Sequence, residues 1–290
     1  MIQYLYLGRV DYAEALALQR ELVELRHQGR IENTLLLLEH PPVLTLGRNA
    51  RRANILATVE MLARTGVSIH EINRGGDVTY HGPGQLVGYP IFDLRSLTNS
   101  NGARLGPVDH VRRMEEALIR LCAQYGVLTG RIPNRTGVWT IAWSGPLDRH
   151  PGASNSEKKI AAIGVHISRG ITSHGFAFNL TTDLRDFQWI VPCGIADREV
   201  TSLELEIPSG HALPTLAQLA DGAARQFGIV FGQRILAVES LAALRAAARP
   251  EFQPEIEQIG VPMRIPPEIE RIETGLDYRD GGRSSKPVRV

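Results

Sequence analysis

The hydrophobic pattern divides the chain into short apolar runs, which predict strands, and segments of helical spacing, which predict helices. IQYLYL predicts a strand over 2–7. Asp11 then caps a helix, with Glu14 three residues on to complete a capping box and Gly29 to mark the stop. The unbroken run Thr34–Leu38 is a buried strand, and EHPPVLTLGR turns at Pro41-Pro42 and re-enters the sheet through Val43–Leu46. A short helix over 59–64 ends at Gly66, and Val67–Ile72 leads on to RGGDVTYHGPGQLVGYPI, residues 74–91. The clearest helix is Asp109–Tyr125, with Val111, Met114, Leu118, Leu121 and Cys122 on one face, so Cys122 belongs to the core. Strands follow at Val138–Trp143, Lys159–Ile167 and Ser173–Leu180, the last two joined around Arg169-Gly170. Thr215–Phe227 and Val238–Ala247 are helical, and no internal repeat stands out.

The stretch 74–91 organises the rest. Gly75, Gly76, Gly82 and Gly84 let the backbone turn sharply and let another molecule come close. Between them VTYH is extended and carries a hydroxyl, a phenol and an imidazole, and LVGYPI is a core strand. Loop, polar strand, tight turn and core strand together make a pocket wall. It is not a nucleotide loop: no Gly-Lys-Ser/Thr follows the glycines, and Val87 stands where a dinucleotide fingerprint needs its third glycine.

Composition narrows the class. The chain has 290 residues, 43% hydrophobic and 22% charged, enough for one large domain or a domain with an appendage. A formal net charge of +1 gives no overall field toward nucleic acid or an anionic membrane, and no apolar run is long enough to span one. MIQYLYLGRVDYAEALALQREL lacks a signal-peptide pattern, so a cytoplasmic protein is expected. Two cysteines, Cys122 and Cys193, make neither a disulfide framework nor a structural zinc site. Of 32 basic residues only Lys158, Lys159 and Lys286 are lysines. Arginine stays protonated whereas lysine can release its proton in a suitable site, which draws attention to the first two. From Arg249 the character changes: the last 42 residues hold six of the 17 prolines and little periodicity, and 249–290 reads as a Pro-rich extension of a 1–248 domain.

IVPCGIADREVTSL sets Cys193 between a proline that fixes the chain and a glycine that leaves room at the sulfur. A thiol reacts as its thiolate, and an ordinary cysteine with a pKa of about 8.5 is only slightly ionised at neutral pH. It needs a neighbouring cation or base, for which His81, His174, Lys158 and Lys159 are the candidates.

Together RGGDVTYHGPGQLVGYPI, KKIAAIGVHISRGITSHGFAFNLTTDL and IVPCGIADREVTSL resemble the lipoyl(octanoyl) transferases, the lipoate-protein ligase B type, with LLLLEHPPVLTLGR and TGVW in support. The likeness runs over roughly residues 2–230. It implies an α+β fold of the biotin/lipoate protein ligase kind, a mainly antiparallel mixed sheet flanked by helices. It implies an acyltransferase that moves octanoyl from octanoyl-acyl carrier protein to a specific lysine of lipoyl domains of 2-oxoacid dehydrogenases and of the glycine-cleavage H protein. Cys193 would carry the acyl group as a thioester, with Lys159 as its partner. The acyl site would be lined by Arg74, Gly75, Gly76, Asp77, Val78, Thr79, Tyr80 and His81, by Ala162, Ile163 and Gly164, and by Gly175, Phe176 and Ala177. No cofactor, metal or nucleic acid is implied. The loop 144–157 and the tail past Arg249 depart from the family pattern and bear on partner docking.

The chemistry suits the residues. A lysine ammonium beside the cysteine would favour the thiolate, and the two titrate as a pair. Once the sulfur is acylated its charge is gone, so the same lysine can become the base that takes a proton from the incoming amine. Tyr80 and His81 are candidates to position the thioester carbonyl. Three other functions remain open: an ATP-dependent lipoate or biotin ligase, a cysteine thioesterase and a non-catalytic acyl-carrier-binding module. Dependence on ATP, release of free octanoate, or binding without a covalent bond would mark each in turn.

Overall fold

The four leucines 35–38 lie in a strand buried along its whole length. Leu35 and Leu37 face one hydrophobic core, Leu36 and Leu38 another. A strand covered on both faces needs such an unbroken run. The computed structural model describes residues 1–99, 101–142, 156–191 and 199–249, which belong to one compact unit.

Along the chain come β1 (Ile2–Arg9), α1 (Tyr12–His27), β2 (Asn33–Glu39), β3 (Val43–Leu46), α2 (Val59–Thr65), β4 (Ser68–Glu71), β5 (Val78–His81) and β6 (Gln85–Ile91). They are followed by α3 (Pro107–Gln124), β7 (Thr129–Ile132), β8 (Arg135–Thr140), β9 (Lys159–Ser168), β10 (Ile171–Asn179), α4 (Leu203–Glu206), α5 (Leu216–Phe231), β11 (Ile235–Ala237) and α6 (Leu241–Ala246). The main sheet runs β11-β1-β2-β6-β10-β9-β8-β7. Its first three strands are parallel and the rest antiparallel. Helices α3 and α5 cover one face through Met114, Leu118, Leu121, Ala223 and Phe227. Helices α1 and α6 cover the other through Ala15, Leu18, Leu22 and Leu244. This is the expected α+β architecture, a mainly antiparallel mixed sheet between helices.

Several expectations are corrected. Val43–Leu46 does not rejoin the main sheet; β3 is the middle strand of a second sheet, β4-β3-β5, with its own core around Leu44, Leu62, Tyr80 and Phe187. Strands β7 and β11 are too short to show a period. Helix α3 begins at Pro107, where a missing N–H costs nothing in the first turn. Residues 235–237 pair with β1, so the last helix starts only after the Ser240 cap. Asp11 caps α1 by accepting from the N–H groups of Ala13 and Glu14. Cys122 is in the core, where burial pushes its thiol up to about 12. Of the loop 144–157 only Ser156 and Glu157 are described, and 250–290 and Cys193 lie outside the described residues.

Candidate active site

Lys159 opens β9 and is aimed by an irregularity in the ladder. Val138 pairs with Ala161 but Trp139 pairs with Lys159, so β9 carries an extra residue at that point. Ile160 and Ala161 both join the core under α3 and α5, and Lys159 is left across from Trp139. Its Nζ stands 4.7 Å from the indole centroid, with only 6% of the residue exposed. Among the described residues the ammonium has no hydrogen-bond or ion-pair partner. Burying such a charge is costly, and the negative face of the indole offsets part of that cost. The backbone is pinned from the other side: the Lys159 N–H donates to the Glu199 carbonyl at 2.9 Å, and the Lys159 carbonyl accepts from the Thr201 N–H at 2.9 Å.

Lys159 shares a small hollow with Thr79, Ala162 and Ala177, and these three also line a larger pocket. That pocket holds about 470 Å³ of empty space, open mouth included, within the range of small-molecule sites. Its walls are Arg74, Gly75, Gly76, Thr79 and His81, then Ala162, Ile163 and Gly164, then Gly175, Phe176 and Ala177. Tyr12, Val87, Tyr89 and His174 complete it. Small residues on β9 and β10 hollow it out. Gly164 pairs with Gly175 across the ladder, and a β-carbon on Gly164 would lie 2.8 Å from the Gly75 carbonyl. The glycine-rich loop is fastened there, the Gly75 N–H donating to the Val165 carbonyl at 2.9 Å. The result is a narrow slot of low polarity.

The VTYH segment splits by strand alternation. Thr79 and His81 face the slot, whereas Val78 and Tyr80 turn into the core of the second sheet. The Tyr80 hydroxyl donates to Asp186 at 2.5 Å, and its ring meets Phe187 and Trp189 edge-on. Asp77 braces the turn instead, accepting from the N–H groups of Val78 at 2.7 Å and Arg51 at 3.2 Å and from the Asn54 amide. Thus of the fourteen residues expected at the acyl site, Asp77, Val78 and Tyr80 do not line the slot and the other eleven do.

His81 is held by a chain of hydrogen bonds. Gln85 donates its amide to Asn179 at 2.9 Å, which leaves its oxygen to accept from His81 Nδ1 at 2.8 Å. Nε2 then faces the Thr45 hydroxyl at 3.4 Å, itself bonded by the Arg74 guanidinium. Burial, with His40 and Arg74 nearby, pushes the His81 imidazole down to about 3. His174 is likewise lowered to about 3 by burial and by Arg74, with Nε2 at 2.8 Å from the Asn73 oxygen. Both are neutral walls. At the side of the slot away from Lys159, Tyr89 bonds His40 Nε2 at 2.7 Å, and the Tyr12 ring lies 5.1 Å from that of His40.

Cys193 lies outside the described residues, but both flanks of its segment are placed. The Val191 N–H donates to the Asn54 carbonyl at 2.8 Å, and Glu199 and Val200 run beside Lys159. Tyr12, Val87, Tyr89 and Trp139 escaped sequence reasoning. TGVW marked the last without a role, and the others come to the slot only through sheet and helix packing.

The lipoyl protein ligase A/B catalytic domain family matches residues 11–227. An octanoyltransferase of Acidobacterium capsulatum is 65% identical over 241 residues, 83% of this chain and 94% of that one. The chain belongs to the octanoyltransferases. A second octanoyltransferase, from Koribacter versatilis, is 53% identical over 83% of this chain and 88% of its own. Among solved structures, a bipartite lipoate protein ligase from Thermoplasma acidophilum superposes with a TM-score of 0.61 at 15% identity, covering 86% of this chain and 91% of that one. Lipoate-protein ligase A bound with ATP gives 0.59 at 16%, covering 86% and 93%. The structural likeness shows the expected lipoate-ligase-like fold. As an octanoyltransferase family member the protein is an acyltransferase, and the glycine-lined slot next to Lys159 lies within the matched residues. Among the described residues no helix is long and apolar enough to cross a membrane.

Proposed function

We propose that this octanoyltransferase takes octanoyl from octanoyl-acyl carrier protein as a thioester on Cys193 and passes it to the ε-amino group of a specific lysine. The acceptors would be lipoyl domains of 2-oxoacid dehydrogenases and the glycine-cleavage H protein, in the cytoplasm. Residues 1–248 would be the catalytic domain and 249–290 an extension without chemistry. Family membership supports octanoyl as the group moved. The observation that carries the mechanism is the buried Lys159 ammonium, free of any described carboxylate, at the end of a slot walled by glycine and alanine.

In the first half reaction the Cys193 thiolate attacks the donor thioester carbonyl, and the carrier's thiolate leaves from the tetrahedral intermediate. One sulfur replaces another, so the step is nearly balanced in energy, and the site's task is to raise the thiolate fraction. A lysine ammonium at close range does this electrostatically. In the second half the acceptor amine, with an ordinary pKa of about 10.4, must lose a proton to attack. Acylation has by then neutralised the sulfur, and Lys159 no longer has an anion to hold its own proton. It gives that proton to the departing carrier thiolate, serves as base for the acceptor amine, and then returns a proton to the departing Cys193 sulfur. The octanoyl chain lies along Ala162, Gly164, Gly175 and Ala177. At about 0.8 kcal/mol per buried methylene its recognition is worth up to roughly 6 kcal/mol.

The test is transfer itself. Octanoyl-acyl carrier protein, a purified lipoyl domain and the enzyme are mixed without ATP, and the lipoyl domain is mapped by peptide mass spectrometry. Octanoylation of one lysine supports the reading. Transfer only with ATP and free octanoate, or release of octanoate with no acylated lysine, would replace it with a ligase or a thioesterase.

A further inference from the structure

We infer that Trp139 is a positioning residue: the face of its indole holds the Lys159 ammonium in place at the end of the slot. The inference rests on Lys159 being the working amine of the proposed reaction. Trp139 is 1% exposed and sits directly opposite Lys159 across β8 and β9. The bulge that turns Ile160 and Ala161 into the core is also what sets Lys159 across from Trp139. At 4.7 Å from Nζ to the ring centroid the pair is within cation–π range, and burial strengthens such a pair. Gly137 makes the approach possible. Its φ of 127° is one that side chains rarely adopt, and a β-carbon there would lie 2.6 Å from the Ala161 carbonyl and 3.4 Å from Lys159 Cε.

Among the described residues three carboxylates around this corner, Glu115, Glu206 and Asp186, are engaged elsewhere, and Glu199 is exposed to solvent. On α3, Glu115 is held by Arg112 at 2.8 Å and Arg131 at 3.0 Å and accepts the Gly137 N–H at 3.1 Å. On α4, Glu206 is taken by Lys158 at 3.3 Å and by the Thr201 hydroxyl at 2.7 Å. Below Phe187, Asp186 accepts from Tyr80. The groups that share the hollow with Lys159, among them Thr79, Gln85 and Asn179, are neutral. Among the described residues the indole face is thus the aromatic surface set against the ammonium, with Phe187 the other ring in the hollow. An aromatic face suits a lysine that must change charge during turnover. A carboxylate would hold the proton too firmly, whereas a ring attracts the ammonium yet leaves no unpaired anion when the amine is neutral.

The low lysine count makes the test direct. Lysine labelled with ¹³C at Cε gives at most three signals, from Lys158, Lys159 and Lys286, and Lys159→Arg assigns the one in question. In the wild type the Lys159 ε-protons are shifted upfield by the indole ring current. Trp139→Leu abolishes that shift and Trp139→Phe keeps part of it. In octanoyl transfer, Trp139→Leu lowers kcat about 10-fold with the donor KM within twofold. The acid limb of its pH profile moves lower, because the ring face that favours the cation is gone. Fluorinated tryptophan, incorporated without changing the shape of the ring, moves the same limb progressively and covers the case in which the leucine variant does not fold. A Lys159 signal with no ring shift overturns the geometry, whether or not the protein transfers octanoyl. An unchanged pH profile in the leucine and fluorotryptophan forms overturns the positioning role and leaves the transferase reading intact.

Discussion

Lys158 and Lys159 are neighbours in the chain with opposite surroundings: Lys158 reaches Glu206 at 3.3 Å in a largely buried ion pair, while Lys159 points inward against the Trp139 ring. Only Lys159 belongs to β9, and only it meets the hollow beside the slot. Lys158→Ala should therefore leave octanoyl transfer within twofold while costing about 1–3 kcal/mol of stability, because the Glu206 carboxylate keeps only the Thr201 hydroxyl. Lys159→Ala should lose about 10²–10⁴-fold in kcat, as removal of a general base does. Steady-state kinetics on both variants, with urea unfolding as the control, checks the pair.

Slot width is set by alanine and glycine, so it should respond to a single added side chain. Ala162 lies on both the slot and the Lys159 hollow. Ala162→Leu is expected to leave the unfolding midpoint nearly unchanged and to weaken octanoyl transfer at least about 10-fold, with shorter acyl chains less affected. Rates measured with donors from butanoyl to decanoyl decide it.

The close approach of β6 and β10 depends on Gly88, where a β-carbon would overlap the Phe176 ring. Gly88→Ala should destabilise the fold by about 1–3 kcal/mol through overpacking. A second change, Phe176→Leu, should recover part of the loss if the ring is the cause. Urea titration of the single and double variants gives the answer.

Buried histidines make stability depend on pH. His110, on the buried face of α3 and away from the slot, is pushed down to about 4 by burial and by Arg113, and His40 is pushed down to about 4 chiefly by burial. Each takes up a proton near pH 6.5 when the chain unfolds, so the unfolded state binds more protons between pH 6.5 and about 4. Stability is thus full above pH 6.5 and falls as the pH drops through that window, by about 2 kcal/mol per such histidine at pH 5. Unfolding free energies at pH 7 and pH 5 should show the fall, and His110→Phe should reduce it by about that amount.

Much of the fold was legible because apolar runs and helical spacing are local signals: the leucines of β2 and the face of α3 needed no tertiary information. The slot was legible as motifs, since glycine and alanine at 75, 76, 162, 164, 175 and 177 announce close approach. Side-chain direction was less so. VTYH reads as one polar segment, yet a strand sends Thr79 and His81 one way and Val78 and Tyr80 the other. His81 and Tyr80 each looked like a group to position a carbonyl; one is fixed between Gln85 and Thr45 and the other is spent on Asp186. Trp139 and Tyr89 contribute through cross-strand pairing and burial, which no stretch of sequence displays by itself.

The most direct measurement is the intact mass of the protein after incubation with octanoyl-acyl carrier protein, wild type beside Cys193→Ala. The account predicts one octanoyl group on the wild type, removed by hydroxylamine and absent from the variant. An octanoyl adduct that persists in Cys193→Ala, or full transfer to a lipoyl domain by that variant, would contradict it.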